Sequence, residues 1–131
     1  MTARVLFTGK THNTAGRNGS AVSSDGFLDI KLSQPHPAAE NFFGAAWSAC
    51  YLGAIELVAA QRKIKLSPDV AVDAEIDLNL ADGAYFLAAR LNVSLPGLER
   101  EVAQELIHAA HEICPYSKAT RGNIAVETNL V

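Results

Sequence analysis

The chain has 131 residues, 49% of them hydrophobic and 19% charged, which is apolar material for one compact core and not for two. Its formal charge of −3 comes from 11 basic and 14 acidic side chains that are spread rather than clustered, so no basic stripe is offered to a phosphate backbone and nucleic acid is excluded as a partner. Two cysteines cannot staple a secreted scaffold; in a reducing compartment such a pair is catalytic, metal-binding or simply buried.

The opening Met1-Thr2-Ala3-Arg4 leads into Val5-Leu6-Phe7 and then Thr8-Gly9-Lys10, an apolar run far too short for a signal peptide or a membrane span. A cytoplasmic protein with no membrane partner is expected, built as a single domain over residues 1–131. Strands are predicted from Arg4 to Lys10, near Gly19 to Ser23, and from Phe27 to Leu32, the last with Leu28, Ile30 and Leu32 on one face. Ser24-Asp25-Gly26 supplies a hairpin turn. After Pro35 and Pro37, the proline-free segment from about Ala38 to Lys63 carries apolar residues on almost every side and reads as a buried helix. Glu40 in its first turn suits the positive helix end, and Arg62 and Lys63 suit the other.

Val70, Val72, Ala74, Ile76, Leu78 and Leu80 alternate with Asp73, Glu75, Asp77 and Asn79, the pattern of a half-buried strand. Ala81-Asp82-Gly83 turns the chain into a second alternating strand with Tyr85, Leu87, Ala89, Leu91 and Val93 inward. A second helix is predicted from about Leu98 to Ile113, with a stripe of Leu98, Val102, Leu106, Ala109 and Ile113, stopped by Pro115. Ile124, Val126, Thr128 and Leu130 then alternate as a closing strand. The order βββ-α-ββ-α-β is that of an α+β domain. A helix apolar all round is not covered by one thin sheet, so a homodimer is expected; the alternative is that the first sheet and the hairpin cover its two sides.

Cys50 lies mid-helix in Ala45-Ala46-Trp47-Ser48-Ala49-Cys50-Tyr51, where a free cysteine is ordinarily a small buried hydrophobe. A reactive thiol needs a nearby cation, because an unperturbed thiol with a pKa of about 8.5 is mostly protonated at neutral pH. Three turns into a helix the macrodipole gives little help. Arg17, in the glycine-flanked loop Ala15-Gly16-Arg17-Asn18-Gly19, is the candidate cation, with Glu40 to orient its guanidinium. Ten helical residues rise about 15 Å, so Glu40 reaches Cys50 only if the helix is broken or the bridge crosses subunits. Cys114 ends the second helix just before Pro115, a position that favours mobility and lets a thiol swing toward an oxidised Cys50.

The segments Gly16-Arg17-Asn18-Gly19, Ala21-Val22-Ser23-Ser24-Asp25-Gly26, Ser48-Ala49-Cys50, Leu95-Pro96-Gly97-Leu98-Glu99-Arg100 and Cys114-Pro115-Tyr116-Ser117-Lys118-Ala119-Thr120-Arg121-Gly122-Asn123-Ile124 resemble those of the organic hydroperoxide resistance proteins, the Ohr branch of the OsmC/Ohr superfamily. The likeness runs from about residue 8 to the C-terminus. It implies an OsmC/Ohr-like fold, a buried central helix wrapped by antiparallel sheets in an intertwined homodimer. It implies a peroxidatic Cys50, a resolving Cys114, and an Arg17 and Glu40 pair holding the thiolate. It also implies organic hydroperoxides as substrates, dihydrolipoamide or a lipoylated protein as the dithiol reductant, and no bound metal, haem or flavin. The chain departs from the family between Leu32 and Glu40, where the usual longer connection is cut to Ser33-Gln34-Pro35-His36-Pro37-Ala38-Ala39 and Asn41 follows in place of the usual Gln. That departure bears on the entrance more than on the redox chemistry.

Phe42, Phe43, Trp47 and Tyr51 lie close enough to Cys50 in sequence to line an apolar entrance for alkyl or lipid peroxides, although core is their ordinary role. His108 and His111 stand three apart on a helix, on a face rich in Glu and Gln, and are read as solvated rather than metal-bound. Arg121 is read as pinning the turn into the last strand. Three other readings compete: an OsmC-like peroxidase with a broader peroxide preference, a non-catalytic α+β binding dimer with two inert cysteines, and a thioesterase-like enzyme with a helix wrapped by a sheet.

Overall fold

The computed structural model describes residues 2–32 and 39–131, and at Arg17 the backbone. The predicted start of the long helix at Ala38, Pro35 and Pro37, and the shortened connection lie outside the described residues, apart from Ala39. Two compact units are formed, Met1–Asn41 and Phe42–Val131.

In the first unit, β1 (Thr11–Thr14), β2 (Ser20–Ser23) and β3 (Asp29–Lys31) make an antiparallel three-stranded sheet in the order β1-β2-β3. The strand predicted over Arg4 to Lys10 is not there: pairing begins at Thr11, opposite Ser23, and Val5, Leu6 and Phe7 stand exposed. The short apolar run in that stretch is left as exposed surface and is not paired as a strand within the same chain. The β2–β3 connection turns where expected. Asp25 accepts from the Ser23 hydroxyl and from the Phe27 amide at 2.5 and 3.0 Å, and Gly26 takes a φ of +80°. This tight turn shortens β3 to three residues and leaves Phe27 94% exposed, outside the strand assigned to it.

The helix α1 (Ala39–Gln61) runs without a break for 23 residues. It ends as a Schellman motif: Lys63 sits at φ +57°, its amide donates to Ala60, and the Ile64 amide donates back to Ala59. By length and composition α1 would also cross a membrane, a property it shares with core helices of soluble proteins. Trp47, Tyr51, Ile55, Val58 and Ala59 are buried in the core of the second unit. Its other side, with Ala45, Ala46, Ala49, Gly53, Leu57 and Ala60, is exposed in the single chain, so the expected all-round burial is met on one side only.

The second unit holds β4 (Ala71–Ala81), β5 (Ala84–Ser94), α2 (Arg100–Ile113), α3 (Pro115–Thr120) and β6 (Ala125–Leu130). Asp82 and Gly83, at φ +51° and +77°, form the two-residue turn that sets Ala81 opposite Ala84. The strand order is β4-β5-β6, and β6 joins β5 in parallel. The sheet is therefore mixed, not antiparallel as expected: α2 and α3 carry the chain back before β6, and a crossover returns the strand in the same direction.

Val72, Ala74 and Ile76 pair with Val93, Leu91 and Ala89 on the face that meets the helices. Close approach of α1 to this sheet is set by Gly44, where a Cβ would come within 3.3 Å of Ile76 and 3.4 Å of Ala74. Toward the turn the same apolar face runs beyond the core. Leu80 and Tyr85, paired across the hairpin, are 60% and 72% exposed, so Tyr85 is not inward as predicted. The buried stripe of α2 is Ala103, Leu106, Ile107 and Ala110, rotated from the predicted one, and Ile113 is exposed. The order is βββ-α-ββ-α-α-β, with α3 absent from the prediction because six residues starting at a proline show no helical period.

Candidate active site

Cys50 and Cys114 are both free thiols, and their sulfurs lie 3.4 Å apart, the Cys114 thiol donating toward Cys50. Cys114 is fully buried and Cys50 is half-buried, so the two thiols of the pair differ in exposure. α1 carries Cys50. Cys114 sits at the junction of two helices, where its amide donates to the Ala110 carbonyl at 2.8 Å and closes α2, while its own carbonyl accepts from Lys118 at 3.0 Å. Pro115 opens α3 at the position where a missing N–H costs nothing. The loose helix end predicted for Cys114 is instead a junction with its backbone groups satisfied.

Burial pushes the Cys50 thiol up from its ordinary pKa, and the second sulfur beside it acts in the same direction. The Tyr116 backbone amide, hydrogen-bonded to Cys50, pulls the other way. The Ser117 amide donates to Cys114 Sγ at 3.5 Å.

Behind the sulfurs lies a connected polar chain. The Trp47 indole N–H donates to Ser117 Oγ at 3.1 Å, Ser117 Oγ lies 2.8 Å from His111 Nδ1, and His111 Nε2 lies 2.9 Å from Thr128 Oγ1. A neutral His111 protonated at Nε2 lets Ser117 donate to Nδ1 and satisfies the chain. Burial is the main influence holding the His111 pKa below its ordinary value, with the positive charge of Arg121 adding to it. The His111 ring stacks on Tyr51 at a centroid distance of 4.3 Å, and the Tyr51 hydroxyl donates to the Ile107 carbonyl at 3.0 Å. A cavity of about 300 Å³ opens beside this chain, with Trp47, His111, Ser117, Arg121 and Thr128 among its walls.

A family model described as OsmC-like protein matches residues 32–129. The chain is 40% identical to the organic hydroperoxide resistance protein of Xanthomonas axonopodis pv. citri, covering 97% of this chain and 96% of that one. The crystal structure of the organic hydroperoxide resistance protein OhrB of Bacillus subtilis superposes with a TM-score of 0.86 at 38% identity, over 97% of this chain and 100% of that one. An organic hydroperoxide resistance protein from Elizabethkingia anophelis superposes with a TM-score of 0.89 at 35% identity, with 98% of each chain covered.

The chain belongs to the OsmC-like family, in its organic hydroperoxide resistance branch.

In this OsmC-like chain the second unit brings together Cys50, Cys114, Trp47 and Tyr51, as well as Phe43, which meets Trp47 edge-on at 5.9 Å. Trp47 and Tyr51 are fully buried; Phe42 is half-buried and Phe43 exposed, so of the four aromatic candidates only these last two reach toward solvent. Arg17 and Glu40 belong to the Met1–Asn41 unit. Arg17 lies in a single-turn 3-10 helix, Gly16–Asn18, and its side chain is outside the described residues. The flanking glycines do what was expected of them: Gly16 has φ +59°, and a Cβ at Gly19 would fall 1.4 Å from the Thr14 carbonyl oxygen. Glu40 is half-buried in the first turn of α1.

Two sequence readings need correction. His111 is not on a solvated face; α2 turns it inward onto Tyr51 and Ser117, and of this pair His108 alone is exposed. Arg121 does not pin the turn into β6: its Nη2 donates to the His111 carbonyl at 2.6 Å and so caps the end of α2. The sequence alone does not mark the Tyr116 and Ser117 amides as partners of the sulfurs, nor His111 as the partner of Ser117. The one available signal is their nearness to Cys114: Tyr116 and Ser117 lie within the Cys114-Pro115-Tyr116-Ser117 segment and His111 three residues before it.

Proposed function

We propose that this protein is a cysteine-based peroxidase that reduces organic hydroperoxides to alcohols, with Cys50 as the attacking thiolate and Cys114 as the resolving thiol. The carrying observation is the pair of free sulfurs 3.4 Å apart with unequal exposure. Family membership supports the same chemistry. The Cys50 thiolate takes the distal oxygen of the hydroperoxide, the O–O bond breaks, and the alkoxide leaves as the alcohol after accepting one proton. Cys50 is then a sulfenic acid. Its S–O bond breaks as Cys114 attacks, water departs, and a disulfide forms. An external dithiol, dihydrolipoamide or a lipoylated protein, reduces the disulfide by exchange; no bound metal or cofactor takes part in these steps.

Because burial disfavours the Cys50 thiolate, a cation is required, and Arg17 oriented by Glu40 is the candidate. α1 is unbroken, and ten of its residues rise about 15 Å, which favours delivery of this pair from a second copy of the chain. A homodimer is further supported by the small-residue side of α1 and the uncovered apolar end of the β4–β5 hairpin. Phe42 and Phe43 would form the apolar entrance, and the cytoplasm, with its reduced dithiols, is the setting the cycle needs.

Reduced protein is treated with one equivalent of an alkyl hydroperoxide, and free thiols are counted. Both thiols should disappear, dihydrolipoamide should restore them, and Cys50→Ser should abolish the loss. Unchanged thiols in the wild-type chain would refute the peroxidase reading in favour of a binding dimer or a thioesterase. Faster turnover with hydrogen peroxide than with the alkyl hydroperoxide would refute the apolar entrance.

A further inference from the structure

Ser117 is a serine that is only 4% exposed, in a turn that contains the buried thiol, and its groups are engaged on three sides. Its amide donates to Cys114 Sγ. Its hydroxyl receives the indole N–H of Trp47, three residues before Cys50 on α1, and meets the imidazole of His111 on α2. One oxygen therefore ties the helix that carries Cys50 to the turn that carries Cys114, with His111 braced in turn by Tyr51 and by Thr128 of β6. A junction built only for stability could be apolar throughout, since replacing all the partners of such a buried hydrogen-bonded set by well-packed apolar groups can be nearly neutral; here the polar set is kept, between the two thiol-bearing elements.

Resting on the peroxidase reading, we propose that Ser117 is a positioning residue for the second step of the cycle: its link to Trp47 and His111 holds Cys114 Sγ against Cys50 so that the sulfenic acid is captured before another peroxide arrives. The captured path is Cys50–SOH plus Cys114–SH giving the disulfide and water; the sulfenic S–O bond breaks, the thiol proton leaves with the hydroxide, and the S–S bond forms. The competing path consumes a second hydroperoxide, oxidising the sulfenic acid to a sulfinic acid and releasing a second molecule of alcohol. Contact at 3.4 Å must close to about 2.05 Å for the first path, a movement small enough for a held turn and easily lost by a loosened one.

The experiment compares wild type, Ser117→Ala, Ser117→Thr and His111→Phe. Each reduced protein receives a fixed excess of an alkyl hydroperoxide, and mass spectrometry reads the ratio of disulfide to Cys50 sulfinic acid. A separate single-turnover measurement with one equivalent reads the first step. Ser117→Ala should raise the sulfinic share roughly three- to tenfold, the range that one lost hydrogen bond allows, with the first step at its wild-type rate. Ser117→Thr, which keeps the hydroxyl, should return the ratio toward wild type. Should Ser117→Ala not fold, His111→Phe, which keeps a ring on Tyr51 but removes the imidazole partner of Ser117 and leaves it the Trp47 N–H alone, should shift the ratio in the same direction. A wild-type ratio in both Ser117→Ala and His111→Phe, or equal slowing of both steps, would overturn the positioning role alone. A wild-type chain that loses no thiols would overturn the peroxidase reading itself, and the inference with it.

Discussion

Two side chains with opposite demands sit next to each other behind the thiol pair. Ser117 is neutral and fully engaged, whereas His111 is a titratable group that burial keeps from taking a proton. Once unfolded, His111 recovers an ordinary pKa near 6.5 and binds a proton that the folded state resists. The sign of the pH effect follows from that difference. Above about 6.5 neither state holds the proton and the contribution is intact; as pH falls below it, the unfolded state gains the proton first and stability is lost. We expect the thermal midpoint of the wild type to fall between pH 7.5 and 5.5 more steeply than that of His111→Phe, measured by circular dichroism in matched buffers. Parallel slopes would show that His111 takes its proton as easily folded as unfolded.

Among the elements, α1 has the most to explain, because it ends without the residue type its geometry favours. Lys63 occupies the left-handed position of a Schellman motif where glycine is usual, while Ile64 behind it packs on the core. Lys63→Gly removes the steric penalty of a side chain at positive φ, roughly 1 kcal/mol, although the unfolded chain regains some entropy. A rise in the urea midpoint with an unchanged slope is the expected result; a fall would mean that the lysine side chain contributes more at this helix end than its backbone costs. The β4–β5 hairpin shows the converse case, in which local chemistry and geometry agree: Asp82-Gly83 is the turn its φ values require. On its polar face Arg90 grips Asp77 at 2.7 and 2.8 Å and reaches Glu75, holding the Asp77 carboxyl below the usual range, yet these groups are solvent-exposed enough to matter little for stability.

At the scale of the molecule, the described residues leave apolar surface uncovered at Val5 to Phe7, at Phe27, on one side of α1, and at the outer end of the hairpin. Surfaces of this kind on a chain with a formal charge of only −3 call for a partner. A second copy is the occupant we propose, and light scattering should give twice the mass of one chain. Leu80→Glu places a charge in the exposed apolar end of the hairpin and should shift the particle toward monomer while leaving the far-ultraviolet spectrum intact. A monomeric wild type would remove both the dimer and the delivery of Arg17 and Glu40 from a second copy.

The amino-acid order alone determined the α+β class, the long helix, the hairpin with its Asp-Gly turn, the closing strand, and the two thiols worth joining, because periodicity and turn chemistry are local and are written in neighbouring residues. It also carried the family, through Cys114-Pro115-Tyr116-Ser117 and the Arg17 loop. What it did not carry depends on pairing between distant segments. The parallel joining of β6 to β5, the shift of β1 from Arg4 to Thr11, and the inward turn of His111 each depend on which surface a segment meets, and no window of ten residues contains that surface. The meeting of Cys50 with Cys114 across 64 positions is the plainest instance: their chemistry was legible in the sequence, but only packing of α1 against the α2–α3 junction brings the sulfurs to 3.4 Å.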